Sequence, residues 1–178
     1  MLRSCSRVVA RWEGRVPLEL FRIDDRLIHG QVVVGWGQPL DLQFIVLVDD
    51  EVAASEWEQE LYRMGVPPEM EVFFESVESA AERLAHYQSD RRPGLLLTGD
   101  IETMSRLVIA TGAVAAVNLG GIHHKPGRMQ RLRYVFLSGP EEEALRALAA
   151  RGVVVTAQDV PAGRPLSLEE VLAGEGNR

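Results

Sequence analysis

The chain has 178 residues, of which 46% are hydrophobic and 25% are charged, and its formal net charge at pH 7 is −7. This length is enough for one domain with a sizeable core, and the negative charge argues against a general nucleic-acid binder. The single cysteine, Cys5, excludes a disulfide framework within the chain and fits a reducing cytoplasm. No apolar run reaches the ~20 residues that a membrane helix needs.

The start of the chain differs in character from the rest. Arginine recurs every four positions from residue 3 to residue 15, without the apolar h-region of a secretory signal. We expect residues 1–17 to be a disordered leader, or to follow from a start site assigned too far upstream; the alternative is a weak surface anchor for a membrane or a partner. The rest is expected to form a single domain, 18–174, with a frayed tail at 175–178.

Short apolar runs alternate with amphipathic segments after the leader. Several runs are almost continuous Val, Ile and Leu, which is typical of strands buried on both faces. The predicted strands are Leu18–Ile23, Gln43–Val48, Glu71–Phe74, Leu95–Thr98, Ala115–Leu119, Arg133–Leu137 and Val153–Ala157. The predicted helices are Gly30–Gly35, Val52–Met64, Val77–Gln88, Glu102–Ala110, Glu141–Ala150 and Leu168–Leu172.

This alternation of strands and helices predicts an α/β fold with a mainly parallel sheet. The connection between Leu119 and Arg133 breaks the rhythm, because it is short, rich in Gly and Pro, and leaves no room for a crossover helix. A strand near residue 133 is therefore expected to run antiparallel.

One run, Arg22–Gln31, places His29 at the start of a predicted helix and three residues after Arg26. Ligands of open parallel sheets bind at the C-terminal ends of the strands, and this loop follows the first predicted strand. A neutral imidazole nitrogen can attack a phosphoryl group, and Arg26 supplies a fork of donors suited to phosphate. A helix that begins at Gly30 supplies free backbone N–H groups. The run therefore contains the groups that phosphoryl transfer through histidine requires.

Two further groups of residues are expected to support this site. Acidic side chains just before Arg26 can orient it or the histidine ring, and a glycine turn after another strand can present more N–H groups at the same edge, with a basic side chain behind it. These residues are Asp24, Asp25, Gly120, Gly121, and Lys125 or Arg128, and of these Asp25, Gly120 and Gly121 are expected to contribute to phosphate binding.

Each signal also has a structural alternative. A histidine near a helix start is often a cap or a partly exposed loop residue, and an arginine beside it is often part of a surface ion pair. Asp49-Asp50 is expected to cap the helix that follows, and His86 to lie on a helix surface. We expect no metal site formed by His29, His123 and His124, because their spacing matches no standard zinc pattern and no cysteine joins them.

The segment Arg22-Ile-Asp-Asp-Arg-Leu-Ile-His29-Gly-Gln-Val-Val-Val-Gly-Trp36 resembles the signature of a known family. The family is the IIB component of the mannose/fructose/sorbose class of the bacterial phosphoenolpyruvate-dependent sugar phosphotransferase system. The similarity continues in Ile45–Ala53 and in Asn118-Leu-Gly-Gly-Ile-His123 with Lys125-Pro-Gly-Arg128, which resembles the family's second active-site loop. It covers roughly residues 18–172.

The resemblance implies a relay of phosphoryl groups on an open seven-stranded sheet, mostly parallel, with helices on both faces. His29 would be phosphorylated by the phosphohistidine of a IIA protein or domain, and would pass the group to a sugar of the mannose, fructose or sorbose type held by membrane IIC and IID subunits. Arg26 would steady the phosphoryl group, the backbone from Leu27 to Gln31 would help to cradle it, and Asn118 would support the site. No metal or organic cofactor is implied. The protein would be cytoplasmic, at the inner face of the membrane where permease subunits hold it, and a homodimer is left open.

Two other functions compete with transport. In a regulatory phosphoprotein of an incomplete phosphotransferase system, phosphorylation of His29 would control partner binding, and the loop chemistry would be the same. A receiver-like domain phosphorylated on Asp49 or Asp50 would need an acidic cluster for a divalent cation and a nearby lysine. The sequence contains a single lysine, Lys125, which argues against this function. Departures from the family pattern, such as Asp100 where a proline is common, bear on the partner and the sugar and leave the phosphate loop unchanged.

Overall fold

The computed structural model describes residue 18 and residues 20–174. The expectations of a leader at 1–17 and of a frayed tail at 175–178 lie outside the described residues. Within the described part of the chain, no helix is long and apolar enough to span a bilayer.

Seven strands form one sheet, and the first six of them along the chain are parallel. Its strands are β1 (Leu20–Ile23), β2 (Phe44–Val48), β3 (Glu71–Glu75), β4 (Gly94–Thr98), β5 (Ala116–Leu119), β8 (Val154–Ala157) and β9 (Leu166–Ser167). Their order across the sheet is β3-β2-β4-β1-β5-β8-β9, and β9 pairs antiparallel with β8. Two further strands, β6 (Met129–Leu132) and β7 (Val135–Leu137), form a separate antiparallel pair.

Helices cover both faces of this sheet. A short π-helix, Gln31–Trp36, follows β1. The α-helices are α1 (Asp50–Ala53), α2 (Glu56–Met64), α3 (Val77–Ser89), α4 (Ile101–Thr111), α5 (Gly139–Ala150) and α6 (Leu168–Ala173).

The two faces carry separate hydrophobic cores because successive side chains of a strand point to opposite sides. Along β2, Phe44, Val46 and Val48 pack in the core that also contains α3, α4 and α5. Ile45 and Leu47 pack in the other core, with the π-helix. All five side chains are fully buried, which explains why the β2 sequence is a continuous apolar run rather than an alternating one.

The α/β class and the mainly parallel seven-stranded sheet are confirmed, whereas some details differ. The expected antiparallel strand near residue 133 is present as β7, but its partner is β6 in the separate pair, and β9 is the antiparallel strand of the main sheet. The predicted helix Val52–Met64 is two helices, because the Ser55 side chain accepts from the Glu58 N–H and starts α2 anew. The predicted helix at Gly30–Gly35 is the π-helix, where the Gly37 N–H donates to the Val32 carbonyl.

The strand order determines which loops meet. Because β1, β5 and β8 are neighbours and parallel, the loops that follow them leave the same edge of the sheet side by side. The chain turns from β1 toward β2 on one side, whereas β5 and β8 lie on the other, so the loop after β1 lies where the connections diverge. Such a point is the usual ligand site of an open α/β sheet.

Candidate functional site

His29 lies in the loop between β1 and the π-helix. Its Nδ1 lies 2.8 Å from the Leu27 carbonyl oxygen and 4.0 Å from Asp24 Oδ1. A carbonyl only accepts hydrogen bonds, so the tautomer with its proton on Nδ1 accounts for the shorter contact. Nε2 is buried and has no hydrogen-bond partner among the described residues. Either nitrogen must therefore leave its present surroundings before it can attack a phosphoryl group.

The backbone before His29 makes a tight, strained turn. The Leu27 N–H donates to the Asp24 carbonyl at 2.9 Å, and the Arg26 N–H donates to Asp24 Oδ1 at 3.3 Å. Leu27 has a φ of 55°, a left-handed conformation that costs a residue with a side chain about 1–3 kcal/mol. Strain of this kind is concentrated at functional sites, and here it occurs two residues before the histidine.

Backbone donors are available next to the ring. Within the described part of the chain, the N–H groups of Ile28, His29 and Gly30 donate to no backbone or side-chain acceptor. A Cβ placed on Gly30 would meet nothing within 4 Å, so the space above this residue is open. Unpaired N–H groups at the start of a helical segment attract anions.

Arg26 is held beside this backbone by Gln31, which is itself bonded to Asp159 in the loop after β8. Its Nη2 donates to Gln31 Oε1 at 2.7 Å, and the Gln31 Nε2 donates to Asp159 Oδ1 at 2.6 Å. The Arg26 side chain is 43% exposed and its Nε lies 3.7 Å from Asp24 Oδ1. Both ends of the Gln31 amide are thus engaged within the protein, so this side chain positions Arg26.

A buried ion pair lies beneath the loop. Arg22 and Asp24 are both fully buried, with Arg22 Nη2 lying 3.3 Å from Asp24 Oδ2. Arg22 Nη1 also donates to Asn118 Oδ1 at 2.6 Å and to the Gln158 carbonyl at 2.9 Å. Burial lowers the pKa of the Arg22 guanidinium from its ordinary value, and the neighbouring Asp24 carboxylate opposes this shift. Asn118 thus has a supporting position, since it connects β5 to the arginine of β1.

The Gly120-Gly121 turn supports this pair by its small size. A Cβ on Gly120 would lie 2.3 Å from Arg22 Nη2 and 2.7 Å from Asp24 Oδ2, which leaves room only for glycine. The expectation that this turn offers free N–H groups to phosphate is not met. The Gly120 N–H donates to the Ile23 carbonyl at 2.7 Å, and the Gly121 N–H donates to Asp24 Oδ2 at 3.1 Å.

Asp25 joins the loop after β1, the first loop, to the loop after β5, the second loop. Its carboxylate accepts from the His123 backbone N–H at 2.7 Å and lies 2.6 Å from His123 Nδ1. Its own N–H donates to the Gly121 carbonyl at 2.8 Å. Asp25 was expected to bind phosphate, but both its donor and its acceptors are engaged between the loops, so the structure gives it an organising position. Arg128 Nη1 donates to the His123 carbonyl at 2.8 Å and so stabilises the second loop.

The other candidates lie apart from this cluster or have structural partners. Lys125 is exposed in the second loop. Asp49 caps α1, as expected, and Asp50 accepts from the Val77 N–H and from Arg106. His86 is on the exposed face of α3. Across residues 18 and 20–174, no group of three His, Cys, Asp or Glu residues is arranged to hold a metal ion.

Sequence reasoning gave no role in the site to three residues that contribute to it. Gln158 and Asp159 follow β8, and Trp36 ends the π-helix and donates through Nε1 to the Asp159 carbonyl at 3.0 Å. The Arg22 guanidinium lies over the Trp36 ring, 4.6 Å from its centre. Trp36 was part of the recognised signature, but Asp159 had no local signal except its place directly after a strand.

Together, these contacts hold a loop with unpaired N–H groups and a partly exposed guanidinium around a histidine, and comparison with known proteins gives the family. The sequence model described as "PTS system sorbose subfamily IIB component" matches residues 18–178. The chain belongs to this family of phosphotransferase-system IIB components.

Individual members of the family are similar over most of the chain. The sorbose-specific EIIB component of Klebsiella pneumoniae is 35% identical over 78% of this chain and 84% of its own length. The mannose-specific EIIAB component of Escherichia coli K12 is 30% identical over 86% of this chain, which spans 48% of that longer protein. The crystal structure of manxB from Thermoanaerobacter tengcongensis superimposes with a TM-score of 0.79 at 31% identity, covering 89% of this chain and 96% of that one.

Membership gives the protein a general role. It is a IIB component of the sorbose/mannose class in sugar phosphotransfer, and IIB components of this system are phosphotransferases in sugar transport that work with IIA and permease subunits.

Proposed function

We propose that His29 accepts a phosphoryl group from the phosphohistidine of a IIA protein or domain and transfers it to a sugar bound by membrane IIC and IID subunits. The observation that carries this proposal is that the His29 ring lies on a loop with unpaired N–H groups at residues 28–30 and with the partly exposed guanidinium of Arg26. A phosphoryl group is highly anionic, so donors fixed in advance around it stabilise its transfer.

The reaction consists of two displacements at phosphorus. In the first, a lone pair on a His29 ring nitrogen attacks the phosphorus, and the P–N bond to the donor histidine breaks. In the second, a sugar hydroxyl oxygen attacks the same phosphorus, and the electron pair of the new P–N bond returns to His29. The ring must turn out of its contact with the Leu27 carbonyl, because neither nitrogen is open in its present position.

Two kinds of donor would receive the transferred group. The N–H groups of Ile28, His29 and Gly30 have no acceptor among the described residues, so they are free for equatorial oxygens of the phosphoryl group. Arg26 would neutralise charge on that group during transfer, and its bond to Gln31 leaves other N–H donors of the fork free. The buried Arg22–Asp24 pair below keeps the turn in shape without contacting the ligand.

The substrate class follows from the relatives. The similar proteins are named for sorbose, mannose and N-acetylgalactosamine, so we propose a sugar of this type for the present chain. Because a fused EIIAB relative exists, the IIA donor is proposed to be either a separate protein or a domain of a larger protein.

Labelling by a phosphorylated IIA protein of this class tests the proposal. The wild-type chain should acquire one phosphoryl group that is acid-labile and alkali-stable, as a phosphohistidine is. His29→Ala should abolish labelling, because it removes the nucleophile, whereas His86→Ala should label like the wild type, since His86 is an exposed residue of α3. Labelling that persists in His29→Ala would contradict the proposal.

A further inference from the structure

The second loop carries an imidazole that the reaction described above does not use. His123 follows the Gly120-Gly121 turn, and its side chain is 51% exposed. Its Nδ1 lies 2.6 Å from Asp25 Oδ1, and its backbone N–H donates to Asp25 Oδ2 at 2.7 Å. An ionised carboxylate only accepts hydrogen bonds, so Nδ1 carries a ring proton, and in the neutral ring the Nε2 lone pair is then free to accept a proton.

This imidazole lies beside the groups that surround His29. A Cβ built on Gly121 would lie 3.1 Å from His123 Cε1, 3.3 Å from Asp24 Oδ1 and 3.4 Å from Arg26 Nη2. The His123 ring and the Arg26 guanidinium thus flank the same point, and Asp24 Oδ1 is in turn 4.0 Å from His29 Nδ1. A side chain 94 positions away in sequence is thereby brought to the edge of the loop that carries the nucleophile.

Its orientation is fixed by more than one contact. Asp25 holds both the ring and the backbone of His123, and the Asp25 N–H is itself bonded to the Gly121 carbonyl. Arg128, whose side chain is 8% exposed, donates to the His123 carbonyl and forms a paired contact with Glu141 at the start of α5. A base oriented by a carboxylate on its far nitrogen is the arrangement by which enzymes remove a proton from an attacking hydroxyl.

We infer that His123 is the general base of the second displacement, in which the sugar is phosphorylated. This inference rests on the proposed function of His29. As the sugar hydroxyl oxygen bonds to phosphorus and the P–N bond to His29 breaks, the hydroxyl proton moves to His123 Nε2. The ring is half exposed, so it then releases this proton to solvent. The first displacement, from one histidine to another, involves no hydroxyl and needs no such base.

The inference predicts that the two half-reactions respond differently to substitution. His123→Ala and His123→Gln should both accept the phosphoryl group from phosphorylated IIA at close to the wild-type rate. Both should discharge it to sugar about 100-fold more slowly or worse, because neither side chain accepts a proton and base catalysis contributes roughly 10²–10⁴-fold. His123→Gln keeps the size of the side chain and an N–H donor toward Asp25. If it discharges as slowly as His123→Ala, the missing base and not the lost packing accounts for the effect.

The neighbouring residue and the orienting carboxylate give the controls. His124→Ala removes another exposed imidazole, which contacts Phe136 of β7, and it should discharge like the wild type. Asp25 acts through His123 as a positioning residue, so Asp25→Asn should slow discharge in the wild type and add little in the His123→Ala background.

The experiment follows the phosphorylated protein, isolated after loading, as it is mixed with membrane vesicles that contain IIC and IID subunits of this class. Sorbose, mannose and N-acetylgalactosamine serve as acceptors, and formation of the sugar phosphate is timed. Discharge of His123→Ala at the wild-type rate overturns the inference, and so does an equal slowing of loading and discharge. Absence of label on His29 in the wild type overturns the proposed function and this inference together, whereas a normal His29 label with normal discharge of His123→Ala overturns this inference alone.

Discussion

The side chains around His29 divide into those proposed to contact the phosphoryl group and those that hold the loops in place. Arg26 is the exposed guanidinium of the loop, and Gln31 fixes one of its amino groups at 2.7 Å. Arg22 is fully buried and has three polar partners, so its position is structural although its charge is the same. Two arginines four residues apart thus differ in role because their burial differs.

Arg26→Ala should slow phosphoryl transfer without unfolding the protein. Loss of one charge-stabilising contact in a transition state costs about 2.7–4 kcal/mol, or roughly 10²–10³-fold in rate. Arg26→Lys should also be impaired, because a point charge does not reproduce the fork of donors. Rapid-quench measurement of loading from phosphorylated IIA gives the rate, with Arg106→Ala, an exposed arginine of α4, as the control. An unchanged loading rate in Arg26→Ala would exclude the assigned role.

At the scale of elements, the start of α5 holds the second loop. Ser138 and Glu141 form a capping box, and the Glu141 carboxylate also receives Nε and Nη2 of Arg128. Burial alone would raise the pKa of Glu141, but hydrogen bonds from Arg128 and from Ser138 hold it below its ordinary value of 4.5. One carboxylate therefore joins a helix cap to the loop that carries His123.

This shift predicts how stability depends on pH. Because the pKa of Glu141 is lower in the folded than in the unfolded chain, its contribution is present above pH 4.5 and is lost as the pH falls through the folded-state pKa. Glu141→Gln should lower the free energy of unfolding at neutral pH by about 1.5–3 kcal/mol, the range for a hydrogen bond to a charged group. It should also flatten the loss of stability in acid. Urea unfolding between pH 3 and pH 7, roughly the range of carboxylate titration, measures both effects.

Glu143→Gln is the matched control, because Glu143 is exposed on the same helix. Its unfolding curves should follow those of the wild type across the pH range. If Glu141→Gln and Glu143→Gln gave the same acid dependence, the link between α5 and the second loop would carry no stability.

On the scale of the whole molecule, one buried arginine connects three neighbouring strands at the functional edge. Arg22 of β1 bonds to Asn118 of β5 and to the Gln158 carbonyl after β8, and it pairs with Asp24. The contacts with Asn118 and Gln158 run across the sheet, from strand to strand. The loops after β1, β5 and β8 are therefore expected to shift together when this residue is lost.

Arg22→Met should destabilise the fold by about 3–5 kcal/mol, because it leaves the buried Asp24 carboxylate without its partner. Arg22→Met combined with Asp24→Asn should recover part of the loss, since no uncompensated charge then remains. Arg63→Met, which breaks an exposed pair with Glu60, should change stability by only about 0–1 kcal/mol. Urea unfolding of all four proteins decides the matter, and a single variant as stable as the Arg63 control would show that the pair is dispensable.

Local order along the chain was sufficient to predict much of the fold and the centre of the site. The apolar runs of β2 and β4 and the helix caps lie within short windows, so their periodicity is visible in the sequence. Arg26 and His29 are three residues apart, and their neighbourhood follows from a single turn. The π-helix, the break at Ser55 and the β6–β7 pair were not visible, because they depend on competing hydrogen bonds rather than on periodicity.

The sequence by itself determined the class of fold, the family resemblance and the histidine with its arginine, because all of these depend on near neighbours in the chain. Only the tertiary structure decided which distant groups complete the site. Gln31 meets Asp159 across 128 positions, and Asp25 meets His123 across 98. These pairs exist because strand order places β1, β5 and β8 side by side, and that order follows from the packing of the whole sheet. Because of the same packing, the Gly120-Gly121 turn does not form the expected phosphate cradle and instead leaves the space that the Arg22 and Asp24 side chains occupy.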